Sequence, residues 1–146
     1  MKWHKSAITV STRGKGLVDI TAQVNDLISS WKALEGICFL YVPHTSASLI
    51  INENYDDTVK DDLATFFEKL VPESQSWMKH RFEGPDDSSS HLRSALLPSS
   101  LMIPIENGAL ALGTWQGIFL FEHRGHSRQR TVVVRALDVF SLENNK

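Results

Sequence analysis

The sequence of 146 residues has a single cysteine, no long apolar segment and no excess of positive charge. One cysteine cannot form an internal disulfide, which excludes the disulfide-stapled secreted scaffolds. No run of about 18 apolar residues is present, so no membrane-spanning helix is predicted. The formal charge of -2 provides no basic surface for nucleic acid. Composition therefore excludes three broad classes of protein and identifies no partner.

Targeting signals and reactive thiols are equally scarce. The first ten residues, MKWHKSAITV, lack the apolar segment of a secretory signal peptide. We therefore expect a cytoplasmic protein with no membrane partner. Cys38 lies in the apolar run ICFLYV, where a free thiol usually packs as a small hydrophobe. We expect this thiol to be buried and unreactive.

The apolar patterns predict an α+β fold formed by one domain over residues 1–146. One helix is expected to begin at Thr21 or Asn25 and to end at Gly36, and a second is expected to end at Pro72. The apolar positions with helical spacing are Val24, Leu27, Ile28, Trp31 and Leu34 in the first helix, and Val59, Leu63, Phe66, Phe67 and Leu70 in the second.

Short alternating or β-branched segments predict a largely antiparallel sheet of about seven or eight strands, with the two main helices packed on it. The segments are residues 6–12, 16–21, 37–42, 44–54, 100–105, 109–115, 117–123 and 130–140. Residues 73–90 have little periodicity, and a connection of this length is usually functional or disordered. Residues 91–97 add one or two helical turns. Exposed sheet edges and four tryptophans, including Trp77, favour a symmetric homo-oligomer.

The first polar motif, HTSAS, follows an apolar strand. His44, Thr45 and Ser46 could supply an imidazole, hydroxyls and backbone N–H groups to an anion in a cleft. The alternative is a structural histidine. Asn52 and Glu53, at the far end of the same segment, are hard to explain as helix caps and are candidates for a polar pocket wall.

The second motif, HRFEGPDDSSSH, has a histidine at each end of a polar stretch. His80 and His91, with His44 from elsewhere, could bind zinc if the connection folds back. Alternatively, Asp86 and Asp87 could bind magnesium, which prefers oxygen ligands and commonly bridges to phosphates. The spacing of the histidines matches no compact helical metal motif.

The third motif, GTWQGIFLFEHRGHSRQR, is the densest polar segment. A hairpin would bring Glu122, Arg128 and Arg130 together, with arginines suited to phosphate or carboxylate and the glutamate as a base. The alternative is a solvated hairpin tip. His123 and His126 lie in the same segment.

Taken in order, these three motifs closely resemble the YjbQ family of small bacterial and archaeal proteins. The resemblance implies a compact α+β fold, a homotrimer, and an activity like that of thiamine phosphate synthase, which joins a hydroxymethylpyrimidine diphosphate to a thiazole phosphate and releases pyrophosphate. The family's recurring polar positions correspond to His44, Asn52, Glu53, His80, Asp87, His91, Glu122 and Arg130.

We therefore expect a metal-binding protein with this synthase-like activity and a small phosphorylated metabolite as its ligand. Glu122, Arg130 and His44 are the expected catalytic residues, and His44, His80 and His91 the expected ligands of zinc or magnesium. The expected substrate-binding residues are Thr45, Ser46, Asn52, Glu53, Trp115, Gln116 and Arg128. Two alternatives stay open: a metal-dependent hydrolase in which Glu122 is the base, and a noncatalytic binder of a phosphorylated metabolite.

Overall fold

Alternating segments of the sequence form two antiparallel sheets in the computed structural model, which describes residues 1–141. The described residues form eight strands and three helices, so the predicted α+β class is confirmed. The strands are β1 Lys2–Arg13, β2 Gly16–Asp19, β3 Ala33–Tyr41, β4 Ala47–Glu53, β5 Ser100–Glu106, β6 Ala109–Leu110, β7 Gln116–Glu122 and β8 Ser127–Ser141. The helices are α1 Thr21–Ser30, α2 Thr58–Leu70 and α3 Asp87–Leu96. The last five residues of the predicted domain, 142–146, lie outside the described residues.

The two sheets pack face to face around the main core. One sheet has the order β1-β8-β3-β5-β6 and the other the order β2-β7-β4. Period-two alternation buries one face of each long strand, as in β1, where Ile8 and Val10 are buried and Thr9 is exposed. Val24 and Ile28, one helical turn apart, join α1 to the same core.

A second, smaller apolar cluster covers the other face of the three-stranded sheet. Phe67 of α2 packs there with Ile50, Phe119 and Phe121. Because both faces of the central strand β7 are covered, its residues from 117 to 122 are all buried. Helix α2 contributes only one buried residue.

The predicted end of the first helix, at Gly36, is wrong. Helix α1 ends at Ser30, and Leu34 already lies in β3. Gly36 does not end a helix; it lies in β3 beside a register shift. A Cβ atom there would lie 1.9 Å from the carbonyl oxygen of Leu137, so glycine is needed for this close approach of two strands.

Two other segment predictions also need correction. The strand expected over residues 109–115 is only two residues long, because a turn follows in which the Gln116 N–H donates to the Gly113 carbonyl at 3.0 Å. Helix α3 begins at Asp87, four residues before His91. Hydroxyls of Ser89 and Ser90 donate to the carbonyls of Asp86 and Asp87 at 3.0 and 2.6 Å.

Cys38 is fully buried, as expected, and burial raises the pKa of its thiol to about 12. A thiol in that state is protonated at neutral pH and is a poor nucleophile. Within the described part of the chain, none of the helices is long and apolar enough to span a membrane.

Candidate functional site

Two histidines and an aspartate meet at the beginning of α3. Nε2 of His80 lies 2.6 Å from Oδ2 of Asp87, and Nε2 of His91 lies 3.2 Å from the same oxygen. The three ligand atoms all lie within 4.8 Å of one another. We call these three residues the His-Asp-His cluster.

Local structure explains this convergence. Asp87 and His91 are four residues apart in α3 and therefore lie on the same side of the helix. His80 belongs to the connection before α3, where the Arg81 side chain donates to the carbonyl of Met78 at 2.7 Å. Met78 is buried and anchors this part of the connection.

The hydrogen bond on the other nitrogen of His91 determines what its Nε2 can do. Nδ1 donates to the carbonyl of Thr45 at 2.8 Å, so in the neutral ring Nε2 carries a lone pair. That lone pair faces a carboxylate oxygen of Asp87, an arrangement that is repulsive unless a proton or a cation lies between them. Histidines that bind metals usually donate their other N–H group to a carbonyl or carboxylate in this way.

Asp87 is fully buried yet ionised. Burial raises the pKa of the Asp87 carboxyl, whereas the hydrogen bond from His80 and the charges of His91 and Arg124 lower it. The lowering effects are larger, so the pKa lies below the ordinary value. Oδ1 accepts a hydrogen bond from Nη1 of Arg124, which leaves Oδ2 alone facing the two imidazoles.

Arg124 joins the β7–β8 hairpin to the beginning of α3. Its Nε donates to Oδ2 of Asp86 at 3.2 Å, and its Nη2 donates to the carbonyl of Glu83 at 2.7 Å. The Gly125 N–H also donates to Asp86, at 2.6 Å. Asp86 therefore anchors the hairpin tip, while its neighbour Asp87 faces the histidines.

Each histidine of the cluster lines a cavity. His91 lines an open groove of about 510 Å³ together with His44, Thr45 and Ser94. His80 lines a second cavity of about 280 Å³. Both imidazoles are partly exposed, so a small ion or ligand can reach the cluster from solvent.

A second buried carboxylate, Glu122, is fully occupied by the chain. Arg130 donates to both of its oxygens, and the Thr12 hydroxyl donates to Oε1 at 2.7 Å. Backbone N–H groups of His123 and Arg124 donate to Oε2 at 3.1 and 3.3 Å. Burial raises the pKa of Glu122, but these partners lower it below the ordinary value. A carboxylate so engaged is a weak general base.

Arg130 and His44 are held in the same region. Arg130 also donates to the carbonyl and hydroxyl of Ser46, at 3.1 and 2.8 Å. The N–H group of Thr131 donates to Nε2 of His44 at 3.0 Å. Burial and the Arg130 charge lower the pKa of His44, outweighing the Glu122 charge, so its ring is neutral with the proton on Nδ1.

The comparisons with known proteins agree with one another. The chain matches the profile of the family described as UPF0047 protein YjbQ-like over residues 6–139. It belongs to the YjbQ family. A UPF0047 protein of Synechocystis sp. is 47% identical over 131 residues, covering 90% of this chain and 89% of that protein. YjbQ of Salmonella typhimurium is 42% identical over 132 residues, covering 90% and 95%.

Solved structures share the fold. A YbjQ-like protein of unknown function from Sulfolobus solfataricus has a TM-score of 0.85 and 33% identity, covering 94% of this chain and 98% of that one. A YjbQ/UPF0047 family protein from Clostridium acetobutylicum has a TM-score of 0.82 and 34% identity, covering 90% and 99%.

In this YjbQ-family chain, most of the predicted site residues lie at one or the other end of the β4–β7 pair. The register pairs Ala47 with Glu122 and Glu53 with Gln116. Six residues along a strand span roughly 20 Å. His44, Thr45, Ser46, His80, His91, Glu122 and Arg130 lie near the first end, and Asn52, Glu53, Trp115 and Gln116 lie at the second.

The residues at the second end make local contacts. The Asn52 side chain accepts the Glu53 N–H at 2.7 Å, and the Gln116 side chain accepts the Gly113 N–H at 2.8 Å. Trp115 packs edge-to-face on Tyr55 with ring centroids 4.9 Å apart. This aromatic pair is largely exposed and forms a separate surface.

The third member of the cluster is Asp87, and His44 lies outside it among the described residues. The sequence contained a usable signal: Asp87 and His91 are four residues apart, which is a helical spacing. Because the helix was predicted to begin only at His91, Asp87 was placed outside it and the helical spacing was not recognised. An aspartate in a first helical turn, opposing the dipole, would have indicated the earlier beginning.

Proposed function

We propose that this protein binds a divalent transition-metal ion at His80, Asp87 and His91 and acts on a small phosphorylated metabolite. The convergence of three ligand atoms within 4.8 Å supports the proposal. Two imidazoles and one carboxylate are a common donor set for catalytic zinc and related ions. Magnesium prefers oxygen ligands, so zinc is favoured over magnesium.

When bound, such an ion supplies Lewis-acid chemistry, because it polarises a phosphoryl oxygen and lowers the pKa of water. The groove beside His91 is where we expect the substrate. His44 lines that groove with a neutral ring whose Nε2 is already engaged by Thr131. We therefore assign His44 the role of a hydrogen-bond donor to substrate, through Nδ1, rather than that of a base.

Hydrolysis of a phosphate ester is the reaction that this arrangement supports best. It needs an ion site, an open groove and nearby donors, all of which one chain supplies. It does not need the predicted catalytic pair Glu122 and Arg130, whose polar atoms are engaged with each other and with Thr12 and Ser46. We assign these two residues to holding the strand ends together.

A thiamine phosphate synthase-type transfer is the second candidate, favoured by the exposed pair of Tyr55 and Trp115. Such a pair could stack on a heterocycle, while the ion stabilises the departing diphosphate. Because the pair lies roughly 20 Å from the His-Asp-His end of the same strands, the reaction would require a neighbouring subunit to supply Trp115.

We also propose that the chain forms a homotrimer through the outer face of the five-stranded sheet. By register, Trp3, Leu137, Ile37 and Pro104 form one row across this face, next to Phe39 and Met102. Trp3 is 49% exposed and Met102 is 66% exposed. Exposed apolar surface of this kind favours association. A Met102→Asp variant should sediment as a monomer, and an unchanged sedimentation coefficient would contradict the proposal.

Metal content provides the direct test. Protein purified without a histidine tag should hold about one zinc-class ion per chain, measured by mass spectrometry of the metal. His80→Ala, Asp87→Asn and His91→Ala should each lose most of it. His126→Ala, which removes an exposed histidine outside the cluster, should retain it. Equal metal content in all four variants would refute the metal site.

Activity distinguishes the two reactions. Zinc-loaded protein should release phosphate from some member of a panel of phosphate monoesters, and Asp87→Asn should abolish release. Pyrophosphate release from the pyrimidine and thiazole phosphates, lost in Trp115→Ala, would favour the synthase instead. Ligand-induced thermal stabilisation without turnover of either kind would indicate a noncatalytic binder.

A further inference from the structure

The cavity beside His80 contains a cationic side chain that the proposed function does not use. This cavity has a volume of about 280 Å³, and Arg81 lines it together with His80, Met78 and Ser88. Among the described residues that line the cavity, none is acidic. Its composition therefore favours an anionic group as the ligand.

Two backbone carbonyls hold the Arg81 side chain in place. Its Nε donates to the carbonyl of Met78 at 2.7 Å, and its Nη2 donates to the carbonyl of Ser76 at 3.2 Å. A guanidinium group has five N–H donors, so three of them have no acceptor among residues 1–141. A side chain fixed in this way loses less conformational entropy when it binds a ligand.

The charge of Arg81 is not neutralised by a carboxylate of the described chain. The acidic residues that follow it in the sequence have another partner, because Asp86 and Asp87 pair with Arg124, and Glu83 also lies 3.9 Å from that guanidinium. Guanidinium groups pair most strongly with carboxylate and phosphate oxygens. An anion in the cavity would therefore meet a fixed and unpaired cation.

His80 connects this cavity to the His-Asp-His cluster. It lines the cavity, and its Nε2 lies 2.6 Å from Oδ2 of Asp87. Its ring centroid is 5.3 Å from that of His91, which lines the groove where the substrate is expected. A small molecule with two anionic groups a few bonds apart is therefore long enough to reach both spaces.

We infer that the substrate is a phosphate monoester that also carries a carboxylate, and that Arg81 binds this carboxylate. The inference rests on the proposed function, in which the phosphoryl group lies at the ion, and it names the class of substrate. One guanidinium balances the single charge of a carboxylate, whereas a second phosphate would bring about two negative charges at neutral pH. The hydroxyl of Ser88 lines the same cavity and can donate to the carboxylate as well.

Calorimetric titration of the zinc-loaded full chain tests this inference. The probes are phosphonopropionate and propylphosphonate, which have C–P bonds that resist hydrolysis and which differ by a carboxylate in place of a methyl group. The wild type should bind phosphonopropionate about tenfold more tightly, since a charge-assisted hydrogen bond is added. Arg81→Gln should remove this preference and leave the affinity for propylphosphonate unchanged. Arg81→Lys should keep part of the preference, because lysine retains the charge but lacks the planar fork.

Lys79→Gln is the matched control, because it removes a positive charge two residues away from an exposed side chain that does not line the cavity. It should keep the wild-type preference. Equal loss in Lys79→Gln and Arg81→Gln would indicate nonspecific charge attraction and overturn the inference. Circular dichroism verifies that each variant is folded, and metal analysis verifies that each holds as much zinc as the wild type.

Failure of the inference is distinguishable from failure of the proposed function. Wild-type protein that holds zinc and binds both phosphonates equally would overturn the inference and leave the metal site standing. A chain that holds no zinc, or that binds neither phosphonate when zinc is bound, would refute the proposed function and the inference with it. Tighter binding of methylenediphosphonate than of phosphonopropionate, lost in Arg81→Gln, would place a second phosphate at Arg81 and overturn the carboxylate assignment.

Discussion

Two buried carboxylates of this protein, Glu122 and Asp87, have opposite surroundings. Both are fully buried, both bind an arginine of the β7–β8 region, and both have a pKa below the ordinary value. Every partner of Glu122 is a donor fixed in the fold, including Arg130 and Thr12. Asp87 instead has one oxygen held by Arg124 and the other directed at two partly exposed imidazoles.

This difference separates a structural charge from a candidate ligand. Removing Arg130 would leave the charge of Glu122 buried without a counter-charge, so this ion pair is suited to holding strands together. The partners of Asp87 Oδ2 are two partly exposed imidazoles, whose Nε2 atoms would be the ligands of the proposed ion.

The largest expected effect on stability is at Glu122, the carboxylate whose partners are all fixed in the fold. Arg130→Met should lower the free energy of unfolding by about 3–5 kcal/mol, because it leaves Glu122 buried without its counter-charge. Urea denaturation in EDTA measures this loss. The double variant Glu122→Gln/Arg130→Met should lose less than the sum of the two single variants. A single variant as stable as the wild type would remove the contrast between the two sites.

The next largest effect is expected on metal affinity at Asp87, the carboxylate that faces two partly exposed imidazoles. Arg124→Gln should weaken zinc binding about 10- to 100-fold, because Arg124 orients Asp87 without contacting the ion site. Competition with a chromophoric chelator measures this affinity. His126→Gln, in the same hairpin, provides the control. Unchanged affinity in Arg124→Gln would mean that the orientation of Asp87 does not matter.

The third prediction concerns His123, whose backbone N–H binds Glu122. Burial and the Arg93 charge lower the pKa of His123 to about 3, and its Nε2 lies 2.9 Å from the Ser48 hydroxyl. Between pH 6.5 and 3 the unfolded chain binds a proton that the folded chain does not, so stability falls as pH falls. The slope from this group is about 1.4 kcal/mol per pH unit.

Denaturation of the metal-free protein at pH 7, 6, 5 and 4 measures this slope. His123→Gln should reduce it, because glutamine does not titrate and its amide can still pair with Ser48. His126→Gln, at an exposed position, should keep the wild-type slope. The same slope in both variants would show that His123 is not the group responsible.

The smallest effect is expected at the far end of the β4–β7 pair. Tyr55 and Trp115 are 76% and 56% exposed, so Tyr55→Ser should cost at most about 1 kcal/mol of stability. Thermal denaturation measures this change, and zinc binding should not change. Loss of zinc in this variant would mean that the two ends of the strands are coupled.

Much of the fold could be predicted because it follows from residue patterns within short segments of the chain. Alternation in β1 and the spacing of Val24 and Ile28 in α1 predicted which residues are buried. Gly36 could not be placed this way. Its role depends on the approach of the Leu137 carbonyl from a strand a hundred residues away, which no local window contains.

The site was predicted in part for the same reason. His80 and His91 were identified from their polar surroundings, while the role of Asp87 depends on where α3 begins. Arg130, predicted to bind phosphate, turns inward to Glu122, and Arg128 remains without an acidic partner among the described residues. Alternation along β8 does not distinguish these two arginines, since both precede buried apolar positions by an even number of residues.

The sequence by itself determined the class of the fold, the buried thiol and the segments that contain the polar residues, because residue type and periodicity act over a few neighbouring positions. Only the tertiary structure decided that the partners of Glu122 are all fixed in the fold, while one oxygen of Asp87 faces two partly exposed imidazoles. That distinction depends on donor groups of β1, β8 and the hairpin tip. Strand register and long-range packing determine where these donors lie.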